Sequence, residues 1–261
     1  MWTPRKQKSP PHTHSPVAAQ WWNVSVVPPV VDHQLLGLGC FQEQALRELA
    51  SVYPGKISVT KLDVSDEDSI SSVVQTLTEQ LKHTGLNLLI NNAAIVVPAM
   101  PGPLSETTKK DMMDVYNTNV AGPFLLSKML LPLLVKAAET HRPEKDKGSS
   151  MSCRRSAIIN VSTLAGSIEK CPENFHMAPI YPYRTSKAAL NMLTRCQAVD
   201  FKVSNVLVTA IHPGWVRTEM GGAQAPLNTQ DSVQGMLTVM SSLSDKDSGV
   251  LVSWEGERIP W

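Results

Sequence analysis

Three apolar runs constrain this chain more than any other feature. Leu86-Asn87-Leu88-Leu89-Ile90, Ser156-Ala157-Ile158-Ile159-Asn160-Val161 and Val206-Leu207-Val208-Thr209-Ala210-Ile211 are too short for core helices and lack polar alternation. Each therefore reads as a strand buried on both faces. Ahead of them Ile57 to Val64 alternates as a strand. Ser65-Asp66-Glu67-Asp68 then supplies an N-cap and first-turn acids for a helix running to about Lys82. Strand, helix and strand with short joins form a parallel sheet covered by helices on both faces. The expected fold is α/β, a doubly wound, mostly parallel sheet.

The rest of the chain fits around that sheet. A long helical region is expected over about Ser105 to Ala138, kinked at Gly122-Pro123, with Met112, Met113, Val115 and Tyr116 among its apolar positions. A further helix over about Thr229 to Leu243 precedes a last strand at Gly249 to Ser253, and Gly221 to Asn228 reads as a mobile flap. The charged segment His141 to Arg155 reads as a solvated connection. The loop between Gly166 and Tyr183 is either a pocket wall or a surface excursion.

The amino end is different in kind. Residues 1 to about 20 are rich in Pro, His, Ser and Lys and read as a disordered tail, with His12, His14 and His33 solvated rather than metal ligands. A strand within Trp21 to Val31 is interrupted by Pro28 and Pro29. Gly37-Leu38-Gly39 reads as two glycines in a loop in preference to a phosphate-binding turn, and one helix fits over Phe41 to Val52.

Composition narrows the class of function. With 261 residues and 42% hydrophobic content the chain buries one substantial core, and a net charge of +1 gives no reason to expect nucleic acid or an anionic membrane as partner. Cys40, Cys153, Cys171 and Cys196 lie far apart, which suggests neither a zinc site nor a disulfide framework and points to a reducing compartment. No apolar run approaches the roughly 20 residues of a bilayer span and no secretory signal is evident, so a soluble, cytoplasmic protein is expected.

Chemistry concentrates at the carboxyl ends of the strands, where parallel sheets bind ligands. Asp63 and the pair Asn91-Asn92 fall there, and so do Ser162-Thr163, whose hydroxyls are placed to donate to a carbonyl oxygen. Tyr183 and Lys187, four apart on a helix, share a face. A nearby ammonium favours the phenolate and lowers a tyrosine pKa, so the pair reads as an acid/base centre for interconverting a carbonyl and an alcohol. Asn119, facing the core in Asn117-Thr118-Asn119-Val120, is either a satisfied structural amide or a water holder beside that centre.

With those motifs in order, the chain from about Ala45 to Trp261 resembles the short-chain dehydrogenase/reductase family, near its sniffer-like and C-factor-like carbonyl reductases. The resemblance implies a Rossmann-like fold, NADP(H) as cofactor with NAD not excluded, a small carbonyl substrate, and a protein that often pairs through its long helices. It assigns Tyr183, Lys187, Asn119 and a hydroxyl, Thr163 or Ser162, to catalysis. Thr163 fits the hydroxyl-x-x-Gly spacing to Gly166. Cofactor contacts are implied at Asp63 and Val64 (adenine), at Asn91, Asn92 and Ala93, with Ala94 where the family has glycine, at Asn119, Tyr183 and Lys187, and at Pro213, Gly214, Val216 and Thr218 over the nicotinamide.

Residues 1–40 do not resemble the family's first strand and glycine-rich turn, which leaves an atypical segment ahead of a dehydrogenase-like domain at 41–261. In the family's strand order the missing strand pair would lie between the strands at Ile57 and Leu86. Two readings follow: an NADP(H)-dependent carbonyl reductase, or a catalytically silent relative acting by binding alone.

Overall fold

A computed structural model describes residues 23–25, 35–38, 43–99, 102–140 and 151–261. The expected tail at 1–20, Pro28-Pro29, Gly39 and most of the connection after His141 lie outside them. Along the chain run β1 (Asn23–Ser25), β2 (Leu35–Leu38), α1 (Glu43–Val52), β3 (Ile57–Thr60), α2 (Glu67–Leu81) and β4 (Leu88–Asn91). There follow α3 (Lys109–Tyr116), α4 (Gly122–Thr140), β5 (Ala157–Val161), the single turn α5 (Cys171–Asn174) and α6 (Tyr181–Asp200). β6 (Leu207–His212), α7 (Thr229–Ser242), β7 (Leu251–Ser253) and β8 (Arg258–Ile259) complete the order.

β4, β5, β6 and β7 pair in that order, all parallel, and β8 closes the edge antiparallel to β7. The unalternating runs are explained by burial on both faces. Leu89, Ile158 and Val208 pack into one apolar cluster with α2 and α4, while their neighbours Leu88, Ile159 and Leu207 pack into a second cluster beneath α7.

The gap expected between Ile57 and Leu86 is narrower than the sequence suggested. β2 pairs parallel to β3, and β1 pairs antiparallel to β2 while lying alongside β4. Gly37 and Leu38 are thus strand residues, opposite Val59 and Thr60, and belong neither to a loop nor to a phosphate turn. Ladder bonds come from the backbone, so the lack of a side chain at Gly37 hides the strand from a pattern reading without preventing it.

Other boundaries moved for identifiable reasons. α2 starts where its cap predicts, with Asp66 accepting from the Asp68 N–H. α3 starts four residues after Ser105, because Thr108 and Asp111 form a reciprocal capping box. The irregularity placed at Gly122-Pro123 sits one turn earlier, as a π-helical turn over Asn117–Ala121. The segment Lys109–Thr140 is long and apolar enough to cross a membrane, but half of its apolar window is buried and it packs on α2, as a core helix does.

Gly122 fixes the approach of α4 to the end of β3. A Cβ there would lie 2.4 Å from the Val64 carbonyl oxygen, a backbone atom that cannot rotate away. Replacing Gly122 by Ala gains about 1 kcal/mol of helix propensity but meets this clash. The clash should win, lowering stability by about 2 kcal/mol, read as a lower urea midpoint at unchanged slope.

Candidate active site

The amino-terminal half of α6 carries the centre. Pro182 lies in its first turn, and Tyr183 and Lys187 fall on one face with the lysine Nζ 5.8 Å from the tyrosine ring centroid. Lys187 is 2% exposed, and Nζ donates to the Val161 carbonyl at the end of β5, at 2.7 Å. Gly166 allows this closeness, since a Cβ there would stand 2.8 Å from the Lys187 carbonyl carbon. The hydroxyl-x-x-Gly spacing therefore has a packing reason as well as a chemical one.

Burial, rather than mutual attraction, sets both ionisations. It pushes the Tyr183 phenol up to about 12 and the Lys187 ammonium down to about 7. This differs from the expected lowering of the tyrosine pKa. Nζ bonds to a neutral carbonyl, and desolvation acts on each group separately. Near neutrality the phenol thus keeps its proton, while the lysine is held well below its ordinary range.

The two hydroxyls separate clearly. Ser162, 2% exposed, donates from Oγ to Asn191 Oδ1 at 2.6 Å, and Asn191 Nδ2 donates in turn to the Gly166 carbonyl. Thr163 caps the short turn Leu164–Gly166, its Oγ1 accepting from the Ala165 N–H at 3.2 Å. The Thr163 proton carries no partner among the described residues. Both residues contribute to the wall of one cavity of about 660 Å³, together with Tyr183 and Lys187.

Of the residues expected to hold a cofactor, Asn92, Tyr183, Lys187, Pro213, Gly214, Val216 and Thr218 line that cavity. Asp63, Val64, Asn91, Ala93 and Asn119 do not. Asp63 Oδ1 accepts from the N–H and hydroxyl of Ser65, and Val64 is buried beneath Gly122. Ala93 is also buried. Asn91 Nδ2 donates to Ser127 Oγ and to Asn160 Oδ1, inside a polar network that continues to Thr194. Asn119 is a satisfied structural amide: Oδ1 accepts from the Ile95 N–H at 2.8 Å, and Nδ2 donates to the Ile95 carbonyl and Ser186 Oγ.

Another part of the wall comes from Pro213 to Val216, Thr218, Met220 and Gly221. Gly214 has φ +84, and a Cβ there would crowd Leu227 at 2.6 Å. Read from the sequence as a mobile flap, Gly221 to Asn228 is instead stitched to its neighbours. The Trp215 indole donates to the Gly221 carbonyl, Arg217 donates to the carbonyls of Ala225 and Pro226, and Arg217 and Leu227 are bridged through their backbones.

His212 and Arg184 also line the cavity, with no motif in the sequence to mark them. His212, at the end of β6, has a buried Nδ1 without a hydrogen-bond partner among the described residues, and burial lowers its pKa to about 4. Arg184, between Tyr183 and Lys187 in sequence, is 6% exposed and points away from solvent.

A family model described as short chain dehydrogenase matches residues 41–229. The C-signal protein of Myxococcus xanthus is 33% identical over 176 residues, spanning 67% of this chain and 93% of its own. Among solved structures, the NADPH-bound carbonyl reductase from chicken fatty liver superposes with a TM-score of 0.80 at 41% identity, covering 88% of this chain and 84% of the other. The carbonyl reductase Sniffer of D. melanogaster also gives 0.80, at 33% identity, covering 90% of each chain.

The buried lysine has a measurable signature. Its pKa falls from 10.5 unfolded to about 7 folded, so between those values the unfolded chain binds more protons and stability rises with pH. Denaturation of the wild type and of Lys187→Met from pH 7 to 9.5 should show the wild type gaining stability relative to the variant across that range. Tyr183, with the opposite sign, enters only above pH 10.

Proposed function

The chain belongs to the short-chain dehydrogenase family, whose members are oxidoreductases, and we propose that it reduces an apolar aldehyde or ketone to the alcohol with NADP(H). One observation carries this reading. Thr163, Tyr183 and Lys187 line one cavity together with Pro213, Gly214, Val216 and Thr218, and Val96, Leu164, Trp215 and Met220 supply apolar surface to it.

The residues suit the nicotinamide and ribose end of the cofactor. Lys187 commits Nζ to a single carbonyl among the described residues, and an ammonium has three protons, so donors remain for ribose hydroxyls. Gly214, at positive φ with no room for a side chain, brings the backbone of its loop close to the cavity. Among the described residues the diphosphate end has no equivalent. No glycine-rich turn follows β1, and because β1 runs antiparallel to β2, the chain leaves it at the edge of the sheet away from Asp63. This observation favours the second reading, a relative that folds as a dehydrogenase and acts by binding alone.

When bound, the cofactor supplies the hydride. Tyr183 holds its proton at neutral pH, the state required to donate it to the carbonyl oxygen as charge develops there. Thr163 donates its uncommitted hydroxyl proton to the same oxygen and orients it. Lys187 holds the ribose and, when charged, places a cation beside the phenol that stabilises the phenolate left behind. The apolar walls exclude water, which strengthens each of these bonds.

Titrating the protein with NADPH while following nicotinamide fluorescence and the unfolding midpoint separates the two readings, since a ligand specific for the native state raises that midpoint. Saturable binding with reduction of 4-nitrobenzaldehyde is the expected result. Tyr183→Phe should then lower kcat by about 10²- to 10⁴-fold with NADPH affinity unchanged. A folded sample that binds no NADPH rejects the reductase reading in favour of the silent one.

A further inference from the structure

We propose that Arg184 is a positioning residue, a strap that holds residues 165–178 as a fixed wall of the substrate cavity. Its guanidinium spends its donors on one short stretch of backbone. Nε donates to the Ala178 carbonyl at 2.7 Å and Nη1 to the Ala165 carbonyl at 3.1 Å. Nη2 donates at 2.7 Å to both the carbonyl and the side-chain oxygen of Asn174. The guanidinium carbon also lies 5.3 Å from the Phe175 ring centroid, and Phe175 meets Tyr181 edge-on at 5.6 Å.

These oxygens are all neutral. A buried cation is stable only when its donors are satisfied, and here neutral oxygens of the loop satisfy them. The planar fork of five N–H groups spans three carbonyls that no lysine ammonium could reach together.

The held segment has little internal support. α5 is a single turn and Phe175–Met177 a single 3₁₀ turn, lengths at which helices do not hold themselves. The loop start is tied to the carboxyl end of the chain, by Ser167 Oγ to the Pro260 carbonyl and by the Glu169 N–H to the Trp261 carbonyl. Beyond Lys170 the backbone bonds are local turns. Yet Asn174, Met177 and Ala178 line the cavity, so their position relative to Tyr183 depends on Arg184. The strap therefore sets where a carbonyl substrate rests, without touching the reacting atoms. Its effect on substrate rests on the reductase reading, whereas the strap itself does not.

The test uses full-length Arg184→Ala and Arg184→Lys with two readouts. Amide hydrogen exchange over 171–178 should accelerate about tenfold or more in both variants while β5 and β6 keep their protection. The KM for 4-nitrobenzaldehyde should rise about tenfold with kcat changed less than about threefold, and the pH profile and NADPH affinity should stay unchanged. Added guanidinium should restore part of the KM of the alanine variant. Unchanged exchange over 171–178 in a folded variant overturns the proposal. So does a fall in kcat with a shifted pH profile at unchanged KM, which would place Arg184 in the chemistry. A wild type without reductase activity rejects the proposed function alone, and the exchange result still decides the strap. If the alanine variant does not fold, the lysine variant carries both measurements.

Discussion

The carboxamide of Asn119 is where the separately folded parts of this molecule meet. Fully buried, it grips both backbone groups of Ile95 just past β4 and the hydroxyl of Ser186 on α6, while sitting in the π-helical turn that joins α3 to α4. An unsatisfied amide at such a depth costs about 1–3 kcal/mol, so the three elements are held to one mutual register. Around this clamp the approach of Gly166 to Lys187 and the bond from Lys187 to Val161 fix α6 against the end of β5. Asn119 thus supports the centre from behind and does not face the cavity.

Electrostatically the cavity is defined by what water no longer does. Tyr183, Lys187 and His212 are each driven toward their neutral forms, with burial the leading cause in every case. Desolvation decides in each case, because it penalises whichever form carries the charge. The guanidinium of Arg184, also in the wall, is committed to neutral oxygens of residues 165–178.

Much of this was legible in the sequence. Strands buried on both faces need unalternating apolar runs, and a Tyr and Lys four apart must share a helix face, so sheet and centre could both be inferred locally. What escaped depends on backbone or on distant partners. β2 runs through Gly37 and was concealed by the missing side chain. β8 is a two-residue edge strand, too short for any pattern. Arg184 looks like any helical arginine until three carbonyls of the loop that precedes α6 converge on it. Residues adjacent in a motif also diverge in space: Asn92 reaches the cavity, while Asn91 turns inward to Ser127 and Asn160.

The contacts that build the centre span 24, 26 and 67 residues of sequence. Contacts of such separation close late, because the entropy of long loops must be overcome before they are rewarded. A partly folded chain can therefore carry every helix of this architecture and still have no cavity at its centre. The closing of these long-range contacts, more than helical content, is the faithful report that such a chain has reached its native state.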